Sequence, residues 1–354
     1  MTGMTRRRAL GVGLGGLAGA VLLGAGTEPG ATQSPPQAPP PAPPPGGTRP
    51  RKRAVRIAHV TDTHIEPELR APEGVAACLT HIREKKYGSK FGGALSDDPV
   101  DLVLHGGDMV FDSGDVGAAR TKEQWDLFTK AVKDNWAGPI NYAIGNHDIF
   151  GLNKAKSGTT GEEPNWGKRW PMELLGIKGA ASPDPKAFGA YYSFDQNGWH
   201  VVVLDTVQVE PNGYFGGLDD AQFAWLKGDL LLNKMHPTLV LSHIPLLTVT
   251  VLDRPLNDKR ERVVHPALMC IDFDRVKKLF LENPQVKLCL SGHMHLIDRV
   301  DYNGVSYCCN GAVSANWWKG PHRECKEGYA VVDLYDDGSF TNDYIEYGWK
   351  ADKA

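Results

Sequence analysis

The chain has 354 residues, 41% of them hydrophobic and 23% charged, with a formal net charge of -3. That balance belongs to a globular protein, long enough for one large domain or two small ones once non-domain segments are set aside. It is too near neutral to build the field that a nucleic-acid partner needs, so no specific nucleic-acid binding is expected.

In chain order, Arg6-Arg7-Arg8 is followed by a Gly/Ala/Leu/Val stretch to about Gly26. A basic start before an apolar core is the anatomy of a secretory signal. The consecutive arginines before a Gly-rich, mildly hydrophobic core resemble a twin-arginine signal, which implies residues 1–26 as a signal peptide, the twin-arginine export machinery as a partner, and a periplasmic or extracellular location. Left uncleaved, the same stretch would tether the protein to a membrane. Residues 27–53 are dense in Pro, Ala and Gly, cannot form a core, and read as a disordered, polyproline-like linker. Arg51-Lys52-Arg53 closes it as a solvated edge.

The catalytic domain is expected over 54–350. Val55 to Val60 alternates apolar and polar and predicts a strand ending at Thr61-Asp62-Thr63-His64. Gly74 to Glu84 has helical spacing, and Val100 to Leu104 predicts a strand ending at His105-Gly106-Gly107-Asp108. Lys122 to Asn135 predicts a helix, and Ile140 to Ile144 a strand ending at Gly145-Asn146-His147-Asp148. Ile149 to Phe188 is long, rich in Gly and Pro and weakly periodic, which predicts an active-site flap. Tyr191 to Phe194 and His200 to Leu204 predict a hairpin around Asn197-Gly198. Asp219 to Leu232 predicts a helix capped by Asp219, Thr238 to Leu241 a strand ending at Ser242-His243, and Asp272 to Leu281 a helix. Val286 to Leu290 predicts a strand ending at Ser291-Gly292-His293-Met294-His295, and short strands follow, with Asp336-Asp337-Gly338 as a turn. The alternation of strands and helices argues for a layered α/β fold, with no internal repeat.

Six cysteines (Cys78, Cys270, Cys289, Cys308, Cys309, Cys325) form no Cys-x-x-Cys pair and no zinc-finger spacing. Cys289, inside an apolar strand, reads as a buried thiol; Cys308 and Cys309 should face opposite sides of a strand. A disulfide involving Cys325 or Cys270 is open in an oxidising compartment.

One pattern recurs: each apolar strand ends in a small residue and then a metal-ligand type, namely Asp62 and His64, Asp108, Asn146 and His147, His243, and His293 and His295. Carboxyl ends of strands in layered α/β folds meet in one crevice, so five strand ends can put these groups in a single pocket. Singly, an Asp-x-His or a His after a strand is more often structural; five in order are not. Imidazole mixed with carboxylate and amide oxygen suits Mn, Fe, Zn or Ni. Two such ions can clamp the attacking and leaving oxygens of a displacement at phosphorus.

The ordered set Asp62-Thr63-His64, Gly107-Asp108, Gly145-Asn146-His147-Asp148, His243 and Gly292-His293-Met294-His295 resembles the motifs of the calcineurin-like metallophosphoesterases, from about Arg56 to His295. The resemblance implies a four-layer α/β/β/α sandwich of two mixed sheets flanked by helices. It implies two divalent or trivalent transition-metal ions (Mn, Fe or Zn), one on Asp62, His64, Asp108 and His295, the other on Asp108, Asn146, His243 and His293. Asp108 bridges them, and a metal-bridging water attacks a small phosphoester substrate. It places His147 outside the ligand shell, near the leaving-group oxygen. Asp148 either orients that ring or bonds to backbone.

Departures narrow the branch. Purple acid phosphatases carry Asp-x-Gly at the first motif and a tyrosine ligand three residues after the second aspartate, where this chain has His64 and Phe111. Serine/threonine protein phosphatases carry an Arg that Gly107-Asp108-Met109-Val110-Phe111-Asp112-Ser113 lacks. What remains resembles the bacterial phosphodiesterases, including class III cyclic-nucleotide phosphodiesterases, to which Gly216-Gly217-Leu218-Asp219 and Ser242-His243-Ile244-Pro245 are similar. Export fits nutrient scavenging or envelope phosphodiester cleavage better than cytosolic signalling. A phosphomonoesterase, or a non-catalytic metal-binding envelope protein, is the alternative. Trp317, Trp318 and Arg254 are candidate substrate contacts, against a packing role for the tryptophans and a solvated loop for the arginine.

Overall fold

A computed structural model describes residues 51–84, 98–179, 189–211 and 213–352. The signal and nearly all of the Pro-rich linker lie outside the described residues.

The first half of the domain contributes β1 (Arg53–Val60), α1 (Ala71–Arg83), β2 (Leu102–His105), α2 (Ala118–Asn135), β3 (Ile140–Tyr142), α3 (Lys154–Ser157) and α4 (Arg169–Leu175). The second contributes β4 (Tyr192–Gln196), β5 (Trp199–Val203), β6 (Val207–Glu210), β7 (Gly213–Gly216), α5 (Asp220–Leu232), β8 (Thr238–Leu241), a 3₁₀ turn (Thr250–Asp253) and α6 (Phe273–Glu282). It closes with β9 (Val286–Ser291), β10 (Asp298–Tyr302), β11 (Val305–Cys309), β12 (Gly328–Tyr335) and β13 (Phe340–Glu346). One sheet has the order β13-β12-β1-β2-β3 and the other β10-β11-β9-β8-β5-β4, while β6 and β7 form a separate hairpin. In the first sheet β1, β2 and β3 are parallel. In the second β5, β8, β9 and β11 are parallel, with antiparallel strands at both edges.

The two sheets pack face to face. Ile57, Leu104 and Val332 of one meet Val201, Leu241 and Leu290 of the other in a dry layer. Alternate residues of the same strands face outward. Ala58, Val60 and Val103 pack under α1 and α2 with Trp125 and Phe128. Val202, Val240 and Cys289 pack under α5 and α6 with Leu226, Val276 and Phe280. The result is the expected four-layer α/β/β/α sandwich. Strands covered on both faces have no polar side to show, which is why Leu102–Leu104 of β2 and Leu239–Leu241 of β8 read as unbroken apolar runs.

Local signals hold where chemistry fixes them. Asn197 and Gly198 both have positive φ (46° and 88°), the backbone a tight hairpin requires. Asp219 caps α5 through a 2.7 Å bond from the Gln222 amide.

Two expectations change. Residues 149–179 are not an open flap: Ile149, Phe150 and Met172 are buried, Phe150 bridges Gly167, and α3 and α4 form within the segment. Those helices, of 4 and 7 residues, are too short to print a periodic apolar stripe. Residues 180–188 lie outside the described residues. The six cysteines are all buried and free, so none forms the disulfide left open for Cys325 or Cys270. Cys308 faces the inter-sheet layer and Cys309 the opposite side, as alternation requires. Arg51-Lys52-Arg53 is the solvated edge expected, with Arg51 and Lys52 exposed; within it Arg51 stacks 4.0 Å over Tyr335, the Lys52 amide bonds Asp336, and Arg53 opens β1 and pairs with Asp98.

The β1–β12 seam carries a buried ion pair. Arg56 donates to both oxygens of Asp333 at 2.7 Å, and both residues are buried. Asp333→Ala removes the carboxylate that takes both of these bonds and leaves the buried guanidinium without its closest counter-charge. It is expected to cost about 3–5 kcal/mol of stability, read from the urea midpoint at unchanged slope; a loss below about 1 kcal/mol, the usual worth of an exposed pair, would contradict this account.

Candidate metal centre

Parallel strands of both sheets point their carboxyl ends toward one edge, and the loops that leave them are short. Asp62 and His64 follow β1, Asp108 follows β2, Asn146 and His147 follow β3, His243 follows β8, and His293 and His295 follow β9. Turning each chain end back over the sheet edge takes an unusual backbone. Asp62, His64, Asp108, His293 and His295 all have φ between 39° and 68°, the left-handed region that side chains with a Cβ disfavour. Such conformations cost on the order of 1–3 kcal/mol each and persist where surrounding structure forces them, typically at functional sites. Two glycines make room. A Cβ on Gly145 would lie 2.1 Å from Asp108 Oδ1, and one on Gly292 would lie 1.9 Å from Thr61 Oγ1 and 2.3 Å from Asp62 Oδ2.

All seven residues predicted as metal ligands come together. Asp62 Oδ1 is 3.3 Å from His295 Nε2 and 3.8 Å from His64 Nε2, and the two imidazoles approach to 3.0 Å. Asp108 Oδ2 is 3.6 Å from His64 Nε2 on one side and 3.3 Å from His243 Nε2 on the other. His243 Nε2 in turn lies 3.1 Å from Asn146 Oδ1 and 3.2 Å from His293 Nδ1. Asp62, His64 and His295 form one group able to hold a cation, and Asp108, His243 and His293 form another. Asp108 Oδ2 therefore faces a histidine of each group.

The donor set fits metal ions better than it fits hydrogen bonds among its own members. His243 and His295 each hand their Nδ1–H to a backbone carbonyl, of Gly106 at 2.8 Å and of Ala315 at 2.5 Å. In a neutral ring that leaves Nε2 a lone pair aimed at carboxylate, amide and imidazole acceptors. His64 Nδ1 and His293 Nε2 are buried without partners. Carbonyls fixing the outer nitrogen of a ligating histidine are a recurrent feature of metal sites.

Electrostatics point the same way. Burial alone would raise both carboxylates, but the neighbouring imidazoles, His295 beside Asp62 and His243 beside Asp108, hold them below the usual range. Burial opposes protonation of His243, yet Asp108 outweighs it and pushes that imidazole up to about 9. Burial, then His243, brings His293 down to about 3, while burial and the His147 ring lower His64 well below its ordinary value. In a buried anionic cluster, a cation does for these rings what a proton does in its absence.

His147 sits half-buried at the edge of the cluster, its ring edge-on to His64 with centroids 4.7 Å apart. It also lies within ligand range of His64 and Asp108. Its Nδ1 bonds the Phe111 carbonyl at 2.5 Å, and its amide donates to Asp108 Oδ1 at 2.8 Å. Asp148 does not orient that ring. Its carboxylate instead accepts the amides of Asp108, Met109, Val110 and Gly145 at 2.8–3.3 Å, tying the loop after β2 to the loop after β3. Burial and the Asp108 charge push Asp148 up to about 7, against those four N–H bonds.

The predicted substrate contacts separate. Trp317 is half-buried, with its ring 4.5 Å from His295 and 5.7 Å from His64, so it stands at the rim. Trp318 is buried and braces the site from below, its indole N–H shared between the Thr63 and His64 carbonyls at 3.1 and 3.0 Å. It touches no substrate. Arg254 is exposed, in the segment after the 3₁₀ turn, with its carbonyl accepting from Arg262. Two contributions escaped the sequence reading. The loop after β11 supplies the Ala315 carbonyl and the Ser314 hydroxyl, which bonds the Asp62 carbonyl at 2.8 Å. Tyr214 of the β6–β7 hairpin lies edge-on to His293, with centroids 6.3 Å apart. Neither carries a strand-then-ligand signal.

A four-layer sandwich with a carboxylate–imidazole cluster across its strand ends defines a metal-dependent phosphoester hydrolase. The chain belongs to the calcineurin-like phosphoesterases, whose family model matches residues 55–296. Comparison with curated protein sequences finds no match. Among solved structures, a dimetal phosphatase from Danio rerio aligns at a TM-score of 0.54 and 13% identity, over 83% of this chain and 100% of its own. GAP50, the anchor in the inner membrane complex of Plasmodium, aligns at 0.46 and 12%, over 84% and 86%. The calcineurin-like phosphoesterase YfkN from Bacillus subtilis aligns at 0.43 and 14%, over 86% and 93%.

Gly292→Ala tests the close packing directly. Its methyl group pushes on Thr61 and Asp62, which should weaken metal retention on the order of 10–100-fold, read by elemental analysis after dialysis against graded chelator. Retention equal to that of the unmutated protein would mean that Asp62 is not held where metal binding needs it.

Proposed function

We propose that the chain is an exported phosphodiesterase that works with two transition-metal ions, Mn, Fe or Zn. In this reading Asp62, His64, Asp108 and His295 hold one ion, and Asp108, Asn146, His243 and His293 hold the other. The observation that carries it is the position of Asp108 Oδ2, 3.6 Å from His64 Nε2 and 3.3 Å from His243 Nε2, between the two groups. Bound there, the ions supply Lewis-acid stabilisation of the phosphoryl oxygens and lower the pKa of water.

The chain's own residues do the rest. Asp148, by fastening four amides, fixes the distance between the Asp108 and Asn146 loops. His147, with Nδ1 committed to Phe111, keeps Nε2 for the substrate. In the imidazolium form Nε2 also carries a proton: as the water oxygen bonds to phosphorus and the ester bond breaks, the departing alkoxide takes that proton, and the proton shed by the attacking water restores the ring. Among the described residues, the hydrogen-bond and ion-pair partners of the seven ligand side chains include no Lys or Arg. A phosphodiester monoanion needs less cationic support than a monoester dianion, which favours the diester. Phe111 and His64, at positions where purple acid phosphatases carry Tyr and Gly, support a place nearer the bacterial class III phosphodiesterase branch.

With manganese supplied, the protein should hydrolyse bis-p-nitrophenyl phosphate with higher kcat/KM than p-nitrophenyl phosphate. His147→Gln should lower kcat about 10²–10⁴-fold on diesters with poor leaving groups and less on p-nitrophenyl esters. The reverse substrate preference would favour a phosphomonoesterase. Hydrolysis of neither would leave a metal-binding envelope protein.

Export through the twin-arginine machinery to the periplasm or beyond rests on Arg6-Arg7-Arg8 before an apolar stretch. Lysines at Arg6 and Arg7 should retain the protein in the cytoplasm, seen by fractionation. Undiminished export of that variant would remove this part of the reading.

A further inference from the structure

The β6–β7 hairpin was not expected from the sequence, and it ends beside the metal centre. Tyr214 on β7 reaches inward: its ring meets His293 edge-on, and burial and the Asp108 charge raise its phenol. The same side chain lines a cleft of about 800 Å³ that runs between the hairpin and the segment 152–166. That volume suits a small-molecule group. Leu152, Trp166, Val209 and Pro211 give the lining an apolar share.

The cleft also adjoins the loop that positions His147. Asp115, at its edge, lies four residues beyond Phe111, whose carbonyl holds the His147 ring, and Ser113 between them accepts the Gly151 amide and donates its own to the His147 carbonyl. The cleft is therefore attached to the metal centre at two points, Tyr214 against His293 and the 111–115 segment against His147.

Charge in the cleft narrows what fits. Lys154 lies 5.0 Å over the Trp166 ring, and Asp115 is paired with Lys156. Glu210 and Lys154 both line the cleft and neither has an ion-pair partner among the described residues, so its charges balance and no net field draws in an ionised group. Trp166 is fixed by a 3.2 Å bond from its indole N–H to the Gly151 carbonyl, and with Tyr214 it offers aromatic surface at low entropic cost.

We propose that this cleft is the leaving-group subsite, and that Tyr214, Trp166 and Val209 select phosphodiesters whose departing alcohol is uncharged and carries a ring system larger than a single benzene ring. This deepens the phosphodiesterase reading and rests on it. The test compares phenyl methyl phosphate with 1-naphthyl methyl phosphate, leaving groups of similar acidity, on the metal-loaded full chain. The unmutated protein should prefer the naphthyl ester. Val209→Arg, at an exposed position that tolerates the side chain, should lower the naphthyl-to-phenyl ratio of kcat/KM by about tenfold or more, through KM. On the unmutated protein 1-naphthol should inhibit competitively at lower concentration than phenol. An unchanged ratio in an active Val209→Arg protein, or equal inhibition by the two alcohols, overturns the subsite and leaves the phosphodiesterase reading standing. Hydrolysis of neither ester by the unmutated, metal-loaded protein overturns both.

Discussion

The carboxylate of Asp108 is buried between two sets of imidazoles, and most of the architecture follows from keeping it there. An ionised carboxylate removed from water needs compensating charge close by. Here one oxygen takes the His147 amide and the other faces His64 and His243. Holding this arrangement requires loops from three strands of one sheet and two of the other to meet at one edge, which a sandwich of two sheets with parallel central strands provides. The left-handed backbone at five ligand residues is the local cost of turning those loops inward. Asp148 and Trp318 secure the loops from below through backbone amides and carbonyls.

The fold and the clustering of the candidate ligands are legible because both are written in side chains. A strand covered on both faces must be apolar throughout, and a metal ligand at its end must be Asp, Asn or His, so the run Thr238–Leu241 followed by Ser242-His243 carries its own meaning. The hairpin at Asn197-Gly198 is legible because few residues tolerate its positive φ, and the Asp219 cap because few side chains can accept a first-turn amide. What could not be read acts through the main chain. Any residue can offer the Phe111 or Ala315 carbonyl, so nothing in the sequence marks them as the groups that set the tautomers of His147 and His295. Asp148 was ambiguous because an aspartate beside a histidine is equally able to bond a ring or an amide; four amides within reach decided it.

Trp317 and Trp318 show how adjacent identical residues diverge. Both have positive φ, yet one stacks beside His295 at the rim while the other turns inward to share its N–H between two carbonyls of the β1 loop. Only burial separates rim from brace, and burial depends on contacts remote in the chain, such as the close approach of Gly74 on α1 to the Trp318 ring. Tyr214 escaped although Pro211-Asn212-Gly213 offers a turn signal between β6 and β7: the signal marks a hairpin, but this one stands outside both main sheets and nothing in its sequence directs it toward the ligand loops.

The central claim is that one carboxylate serves two cations. Anomalous difference maps from crystals of the natively loaded protein, collected above and below the metal edges, test it most directly. The account predicts two peaks about 3.5–4 Å apart with the Asp108 carboxylate between them, one beside Asp62, His64 and His295 and the other beside Asn146, His243 and His293. A single peak, or two peaks of which only one lies within bonding distance of Asp108, would contradict it.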